Sequence, residues 1–188
     1  MCLFLFFVAT AMTPQSLLFH YQPQTGTSCT AVSIFYAYAV LARAIHPICC
    51  ETVMKEIMHA AWHVWRQISD AVANTFLQQD EVFNFLRRPS NISVCEMYLV
   101  FNSDVAKEFD QCIHFDSITS FVCENRAMVM TAGEHTSALV SRDAILYFFD
   151  PLGAVVREVQ GRDDLLKILR QSHGDFEVMT LSLLTVQC

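Results

Sequence analysis

The chain has 188 residues, of which 53% are hydrophobic, and it contains only five Gly and five Pro. This length is enough for one domain with a sizeable core, and the composition excludes low-complexity, collagen-like and disordered proteins. Twelve Lys and Arg against nineteen Asp and Glu give a formal net charge of −7, and no basic run occurs. The charge therefore excludes the electrostatic surface that a nucleic-acid binder needs and favours a partner with a basic face.

The amino-terminal half carries the helical period, because apolar residues recur there three and four positions apart. After Pro89 the pattern changes to brief β-branched and aromatic runs that are typical of strands, with one more helical segment near the end. Helices are predicted over residues 30–44, 51–70, 71–87 and 163–170, and strands over residues 96–101, 127–131, 136–141, 144–149 and 176–186. This order predicts an α+β fold, in which a helical amino-terminal half packs on a mainly antiparallel sheet.

A short apolar segment, residues 2–11, lies at the start of the sequence. It is about half the length that spans a bilayer, and it lacks the Lys or Arg that begins a secretory signal, although a degenerate signal peptide is an open alternative. Met12 follows directly and is a second candidate for the natural start. We therefore expect an extra arm at residues 1–12, a single domain over residues 13–188, and no membrane association.

The eight cysteines are spaced irregularly, with Cys49 and Cys50 adjacent and no Cys-x-x-Cys pair. Reduced thiols in an intracellular protein therefore fit better than a disulfide framework, a zinc ribbon or a thioredoxin-like motif. His59 and His63 are one helical turn apart, but no glutamate between them could act as a base. We expect no metal site and no organic cofactor.

Cys29 follows a polar stretch, residues 25–28, and leads directly into the first predicted helix. A thiol at this position faces the unpaired N–H groups and the positive dipole end of the helix, which favour the thiolate. Cys29 is therefore the candidate nucleophile. A buried structural cysteine is the alternative.

Two strand-like runs flank Arg142 and Asp143 and predict a hairpin. If these two residues form the loop, counting outward places His135 directly opposite Asp150. Directly opposed side chains share a face of the sheet, with Cβ atoms about 4.5–5.5 Å apart, so an imidazole and a carboxylate would meet. His135 and Asp150 are thus the candidate base and its orienting carboxylate, with a purely structural histidine as the alternative.

Gln15, Gly26 and Cys29, followed much later by Asp150 in the run Phe-Asp-Pro-Leu-Gly, resemble the amino-terminal deubiquitinating domain of herpesvirus large tegument proteins. In that family a glutamine stands fourteen residues before the catalytic cysteine and a glycine stands three before it, and both positions match here. The resemblance implies a papain-like cysteine protease fold, with the nucleophile on a helix and its base on the sheet. It also implies that Gln15 donates to the oxyanion that forms when the thiolate attacks a carbonyl.

One position departs from the family pattern, in which Phe-Asp is followed by one residue and then by His-Gly. Leu152 occupies the histidine position, and leucine can neither accept nor donate a proton. Either His135 supplies the imidazole from the neighbouring strand, or the domain is a catalytically inactive relative that binds ubiquitin. A structural scaffold is a third alternative.

The resemblance implies a viral deubiquitinating cysteine protease, a thiol hydrolase that cleaves the peptide or isopeptide bond after the terminal Gly-Gly of ubiquitin or a ubiquitin-like modifier. The reaction would pass through a thioester on Cys29. The expected partners are the modifier and its conjugates, together with other tegument or capsid proteins of the virion. The expected locations are the virion tegument, the host cytoplasm and the host nucleus.

Overall fold

The computed structural model describes residues 18–20, 28–72, 77–86, 92–123, 125–153 and 155–186. Helices dominate the first half of these residues, and strands dominate the second. The helices are α1 (Cys29–Leu41), α2 (Glu51–Val72), α3 (Gln79–Phe85), α4 (Ser103–Ala106), α5 (Ile118–Phe121) and α6 (Arg162–His173), and a 3₁₀ turn covers Phe115–Ser117. The strands are β1 (Leu18–His20), β2 (Ile92–Val100), β3 (Cys112–His114), β4 (Arg126–Ala132), β5 (His135–Arg142), β6 (Ile145–Asp150), β7 (Val155–Glu158) and β8 (Val178–Val186).

The strands form one sheet in the order β1-β7-β6-β5-β4-β8-β2-β3. Among the described strands the neighbours are antiparallel, except that β3 runs parallel to β2. The strands from β4 to β7 follow one another in the chain and pair in sequence. Strand β8 lies between β4 and β2 and so joins these late strands to the first long strand.

Successive side chains of a strand point to opposite sides of the sheet. Because apolar residues occupy successive positions of β4 and β5, both faces of the sheet are buried. On one face, Val129 and Val140 belong to a core that also contains residues of α1, α2 and α3. On the other face, Met128 and Leu139 pack with residues of α5 and α6. The helical amino-terminal half thus covers one face of the sheet, and α6 covers the other.

Helix α1 lies in the middle of the first core. Ala31, Ile34 and Ala37 are completely buried, and the polar residues Thr30 and Ser33 of its first turns are buried with them. A helix that is enclosed on all sides has little freedom to shift, so its N-terminus keeps a fixed place against the sheet.

Strand β5 holds the carboxyl end of α1. Arg142, the last residue of β5, donates from Nη2 to the backbone carbonyl oxygens of Val40 at 3.1 Å and Ile45 at 3.2 Å. The guanidinium charge also suits the negative end of the helix dipole. The same strand begins with His135, so β5 carries a helix anchor at one end and a candidate site residue at the other.

The predicted α+β fold is confirmed, and each predicted helix and strand has a counterpart in the structure. The predicted start of the third helix is wrong, because α2 continues through residue 72 and α3 begins only at residue 79. Strands β1, β3 and β7 were not predicted, since three or four residues are too few to show a period. Among the described helices, none combines the length and the apolar character needed to cross a bilayer.

Candidate active site

Cys29 is the first residue of α1, and only 4% of its surface is exposed. Its Sγ lies 3.5 Å from the backbone carbonyl oxygen of Glu134, in the turn between β4 and β5. The first backbone N–H groups of a helix have no carbonyl partner within the helix and therefore favour an anion beside them. The structure places this thiol at the helix N-terminus that the sequence predicts.

Buried hydroxyl groups join the start of α1 to the start of β5. Thr30, directly after Cys29, has its Oγ1 3.0 Å from Oγ1 of Thr136. Ser33 Oγ donates to the backbone carbonyl oxygen of Thr136 at 3.1 Å. Thr136 directly follows His135, so these bonds fix the helix that carries the thiol against the strand that carries the imidazole.

His135 and Asp150 form a close pair in which Nε2 lies 3.1 Å from Oδ1. His135 is the first residue of β5, and Asp150 is the last residue of β6. The imidazole of His135 and the thiol of Cys29 lie close enough to shift each other's pKa. Because the carboxylate takes Nε2, Nδ1 is the ring nitrogen that remains for the thiol.

The predicted register of this hairpin is wrong by two residues. The structure makes Asp143 and Ala144 the two turn residues, not Arg142 and Asp143. Both have positive φ values, 53° and 61°, as a type I′ turn requires. A shift of two residues keeps each side chain on its face of the sheet, so His135 and Asp150 become diagonal neighbours that still meet.

Several donors converge on the carboxylate of Asp150. Oδ1 accepts hydrogen bonds from the backbone N–H groups of Leu152 at 2.9 Å and Gly153 at 3.2 Å, in addition to its contact with His135. Oδ2 accepts a hydrogen bond from the hydroxyl group of Ser172 at 2.7 Å. Bonds of this kind stabilise the ionised carboxylate and fix its orientation.

Burial opposes the charged forms of all three groups, and their mutual contacts outweigh it. Burial raises the pKa of Cys29, but hydrogen bonds with His135 and Thr136 and the charge on His135 lower it overall. Burial lowers the pKa of His135, yet the bonds with Asp150 and Cys29 raise it to about 9. Burial raises the pKa of Asp150, while the bonds with His135 and Ser172 lower it to about 2. These shifts favour the thiolate, the imidazolium and the carboxylate over the neutral forms of the three groups.

Leu152, at the position of the family histidine, does not stand where a base is needed. Its side chain is 59% exposed, and its backbone N–H donates a hydrogen bond to Oδ1 of Asp150. The imidazole beside Cys29 is that of His135. The structure therefore brings Cys29, His135 and Asp150 together, while Gln15 lies outside the described residues, as do Gly26 and the predicted arm at residues 1–12.

Ser172 and His173, the last residues of α6, complete the surroundings of His135 and were not predicted from the sequence. Ser172 Oγ lies 3.2 Å from Nε2 of His135, and the His173 ring centre lies 4.8 Å from the His135 ring centre. Nε2 of His173 is 2.8 Å from Oγ of Ser137 on β5. Their signal in the sequence is faint: Ser172 stands seven residues after Leu165, on the apolar side of a helical segment.

A cavity of about 210 Å³ opens beside the thiol of Cys29. Its walls include Thr131, Gln78 and the two turn residues Gly133 and Glu134. Gly133 has a φ of +58°, which lets the chain turn tightly there before β5 begins. The cavity gives a substrate access to the thiol from the side of this turn.

None of the cysteines in the described ranges is joined in a disulfide: Cys29, Cys49, Cys50, Cys95, Cys112 and Cys123. Within the described ranges, no three His, Cys, Asp or Glu side chains gather as the ligands of a metal would. His59 and His63 touch through Nε2 atoms 3.2 Å apart, on an exposed part of α2.

No family model and no curated protein sequence matches the chain. Solved structures do match its fold. The ubiquitin-specific protease encoded by a murine cytomegalovirus tegument protein, solved in complex with a ubiquitin-based suicide substrate, aligns with a TM-score of 0.63 and 12% identity, over 92% of this chain and 87% of that one. The Pseudomonas avirulence protein AvrPphB aligns with a TM-score of 0.50 and 13% identity, over 85% of this chain and 92% of that one. The chain has the fold of the papain-like cysteine proteases.

Proposed function

We propose that the chain is a deubiquitinating cysteine protease, which hydrolyses the bond after the terminal Gly-Gly of ubiquitin or a ubiquitin-like modifier. The observation that carries the proposal is the meeting of Cys29, His135 and Asp150, where an imidazole held by a carboxylate lowers the pKa of a thiol at a helix N-terminus. These are the parts that a covalent mechanism needs: a nucleophile, a proton carrier and a group that orients the carrier.

Acylation would begin with attack by the thiolate of Cys29 on the carbonyl carbon of the terminal glycine. A C–S bond forms, and the carbonyl oxygen takes up the negative charge. When this intermediate collapses, the C–N bond breaks and the imidazolium of His135 gives its proton to the leaving amine. The products are a free amine, a thioester on Cys29 and a neutral imidazole.

Water would then resolve the thioester. The neutral imidazole of His135 takes a proton from the water as its oxygen attacks the thioester carbonyl, and the C–S bond breaks to regenerate the thiolate of Cys29. Asp150 remains bonded to Nε2 in both half-reactions, which leaves Nδ1 to exchange protons with the reacting atoms. The cycle ends with the same thiolate and imidazolium with which it began.

The oxyanion of each intermediate needs hydrogen-bond donors, and losing one such donor typically raises the barrier by about 2.7–4 kcal/mol. The backbone N–H groups at the start of α1 are one source, because they have no acceptor within the helix. The amide of Gln15 is the second proposed donor, on the strength of its place fourteen residues before Cys29.

Two observations favour ubiquitin or a similar modifier as the substrate. The fold is shared with a viral ubiquitin-specific protease that was solved with a ubiquitin-based substrate. The net charge of −7 suits a modifier whose recognition face is basic.

The setting of this activity is proposed from the resemblance to tegument proteins. It comprises the virion tegument, the host cytoplasm and nucleus, and other tegument or capsid proteins as partners. Detection of the chain in purified virions, and its recovery from both compartments of infected cells, would support this setting. Absence from virions would contradict it without affecting the chemistry.

The test of the function is to incubate the purified chain with ubiquitin that carries a thiol-reactive electrophile at its carboxyl end. The wild type should form a covalent adduct, which peptide mass spectrometry should locate on Cys29. Cys29→Ala should abolish the adduct, and His135→Ala should slow its formation by about 10²–10⁴-fold. Cys50→Ala and Cys123→Ala, which each remove an exposed free thiol, are matched controls and should label like the wild type.

Two outcomes would contradict parts of the proposal. Ubiquitin binding without any adduct would leave the inactive, ubiquitin-binding relative as the better description of the chain. An adduct that forms as quickly in His135→Ala as in the wild type would show that another group activates the thiol of Cys29.

A further inference from the structure

We propose that Ser172, near the end of α6, is a positioning residue that holds the carboxylate of Asp150 in line with the imidazole of His135. The inference rests on the proposed function, because it deepens the account of the same site. It extends that site to a helix packed on the opposite face of the sheet from α1.

The hydroxyl group of Ser172 uses its donor and acceptor capacities on two different partners. It donates to Oδ2 of Asp150 at 2.7 Å, and its oxygen lies 3.2 Å from Nε2 of His135. Since the hydroxyl proton is given to the carboxylate, a lone pair of the serine oxygen faces the N–H of the imidazole. Ser172 and Asp150 thus share the single N–H at Nε2 of His135, and the bond between them closes a ring of three side chains.

The two oxygens of Asp150 are held by different groups. Oδ1 contacts Nε2 of His135 and accepts hydrogen bonds from the backbone N–H groups of Leu152 and Gly153. Oδ2 accepts a hydrogen bond from the hydroxyl group of Ser172. The terminal torsion of an aspartate is soft, so a bond at Oδ2 further restricts rotation of the carboxylate about its Cβ–Cγ bond. The serine hydroxyl therefore helps to set the angle at which the carboxylate meets the imidazole.

Packing holds Ser172 in place. Helix α6 buries Leu165, Ile168 and Leu169 in the core on its face of the sheet. Ser172 lies one helical turn beyond Ile168 and two turns beyond Leu165, so the helical period places it on the same side. The hydroxyl group is presented by a rigid element, as accurate positioning requires.

The neutral ring of His173 packs beside the ring of His135, on the side of the site that α6 forms. Its ring centre lies 4.8 Å from that of His135, and its Nε2 is bonded to Oγ of Ser137. Burial first, and then the positive charge on His135, lower the pKa of His173 to about 4. The titratable groups that act on His135 are therefore Cys29 on α1, Asp150 on β6 and this second histidine on α6.

The test measures the reactivity of Cys29 in the whole chain, without ubiquitin. Wild type, Ser172→Ala and Ser172→Thr are alkylated with iodoacetamide over a range of pH, and modification of the Cys29 peptide is followed by mass spectrometry. Ser172→Ala should slow this alkylation near neutral pH by about tenfold and move its onset to higher pH, because a loosened Asp150 supports less charge on His135. Ser172→Thr, which keeps the hydroxyl group, should return the profile toward that of the wild type.

Further variants separate positioning from general stability. Ser69→Ala is the matched control, since Ser69 is a buried serine in the last turn of α2, and it should leave the pH profile unchanged. On the Asp150→Asn background, Ser172→Ala should cause no additional slowing, because the serine acts through the carboxylate. Should Ser172→Ala fold poorly, Ser172→Cys keeps the size, offers only a weak donor and gives the same test.

A Ser172→Ala profile that matches the wild type would overturn the inference, and so would an equal slowing on the Asp150→Asn background. Both results are measured without ubiquitin, so neither of them decides whether the ubiquitin electrophile labels Cys29. A Ser172-dependent profile in a chain that ubiquitin does not label would contradict the proposed substrate while supporting the role of Ser172.

Discussion

The hydroxyl oxygens of Thr30 and Thr136 lie 3.0 Å apart in the protein interior, and Thr30 donates its own proton to the backbone carbonyl oxygen of Leu77 at 3.0 Å. Thr30 directly follows Cys29 in the chain, and Thr136 directly follows His135. The bond therefore links the helix and the strand at the positions next to the two side chains that would react.

Removing this bond should weaken both folding and catalysis. Thr30→Val keeps the shape of the side chain and deletes its hydroxyl group, so the free energy of unfolding should fall by about 1–3 kcal/mol. The thiol and the imidazole should also be less well aligned, which we expect to lower kcat/KM for a fluorogenic ubiquitin substrate by about ten- to a hundredfold. Thr185→Val in β8 is the control. An unchanged kcat/KM in Thr30→Val would show that the bond does not set the alignment.

The rate should follow a bell-shaped dependence on pH. The reactive form needs Cys29 deprotonated and His135 protonated, and the pKa of Cys29 is lowered while that of His135 is raised to about 9. We expect kcat/KM to rise as the thiol ionises, to stay level, and to fall as the pH passes about 9. Asp150→Asn weakens the bond that raises the pKa of His135, so the alkaline limb should move to lower pH. An alkaline limb that stays in place would contradict this assignment.

The buried ring of His173 should make the protein sensitive to mild acid. Its pKa is lowered from 6.5 to about 4 on folding, so between these values the unfolded chain binds a proton that the folded protein does not. Stability is therefore complete above pH 6.5 and is lost as the pH falls toward 4. Urea unfolding should show this decline in the wild type and a flatter one in His173→Phe, which keeps a flat ring but binds no proton. His59→Phe, at an exposed histidine of α2, is the control, and an equally steep decline in His173→Phe would count against the prediction.

A histidine at position 152 should not act as the base. The side chain of Leu152 is 59% exposed, and its backbone N–H is what holds Asp150. Leu152→His should keep kcat/KM within about twofold of the wild type, as surface substitutions usually do. The same change should not restore turnover to His135→Ala. Recovery in that double variant would show that a ring at position 152 reaches the thiol.

The proximity of the main site residues was predictable because each rests on a local pattern. The place of Cys29 follows from the start of a helix, and the pairing of His135 with Asp150 follows from a hairpin. The turn itself was misassigned because Ala144 stands where a glycine would mark a type I′ turn, so the sequence carries only a weak signal there. The pairing survived this error because a shift of two residues preserves the face of the strand.

The role of α6 was not predictable from any local pattern. Ser172 lies 22 residues from Asp150 and 37 from His135 along the chain, and only the packing of a helix on the sheet brings them together. A serine and a histidine at a helix end also have ordinary explanations, such as exposure or capping. Sequence periodicity shows which side of α6 is apolar but not which strand ends it reaches.

The alternation of side chains along β5 divides the reacting groups between the two layers that cover the sheet. Thr136 points toward α1, whereas His135 points toward α6. The thiol therefore belongs to the layer on one face, while the carboxylate and the serine contact the imidazole on the other. Repacking the core beneath α6 would therefore change proton transfer at His135 without moving α1, and it would affect the thiol only through the imidazole. Repacking around α1 would instead move the thiol relative to an imidazole that β5 and α6 still hold.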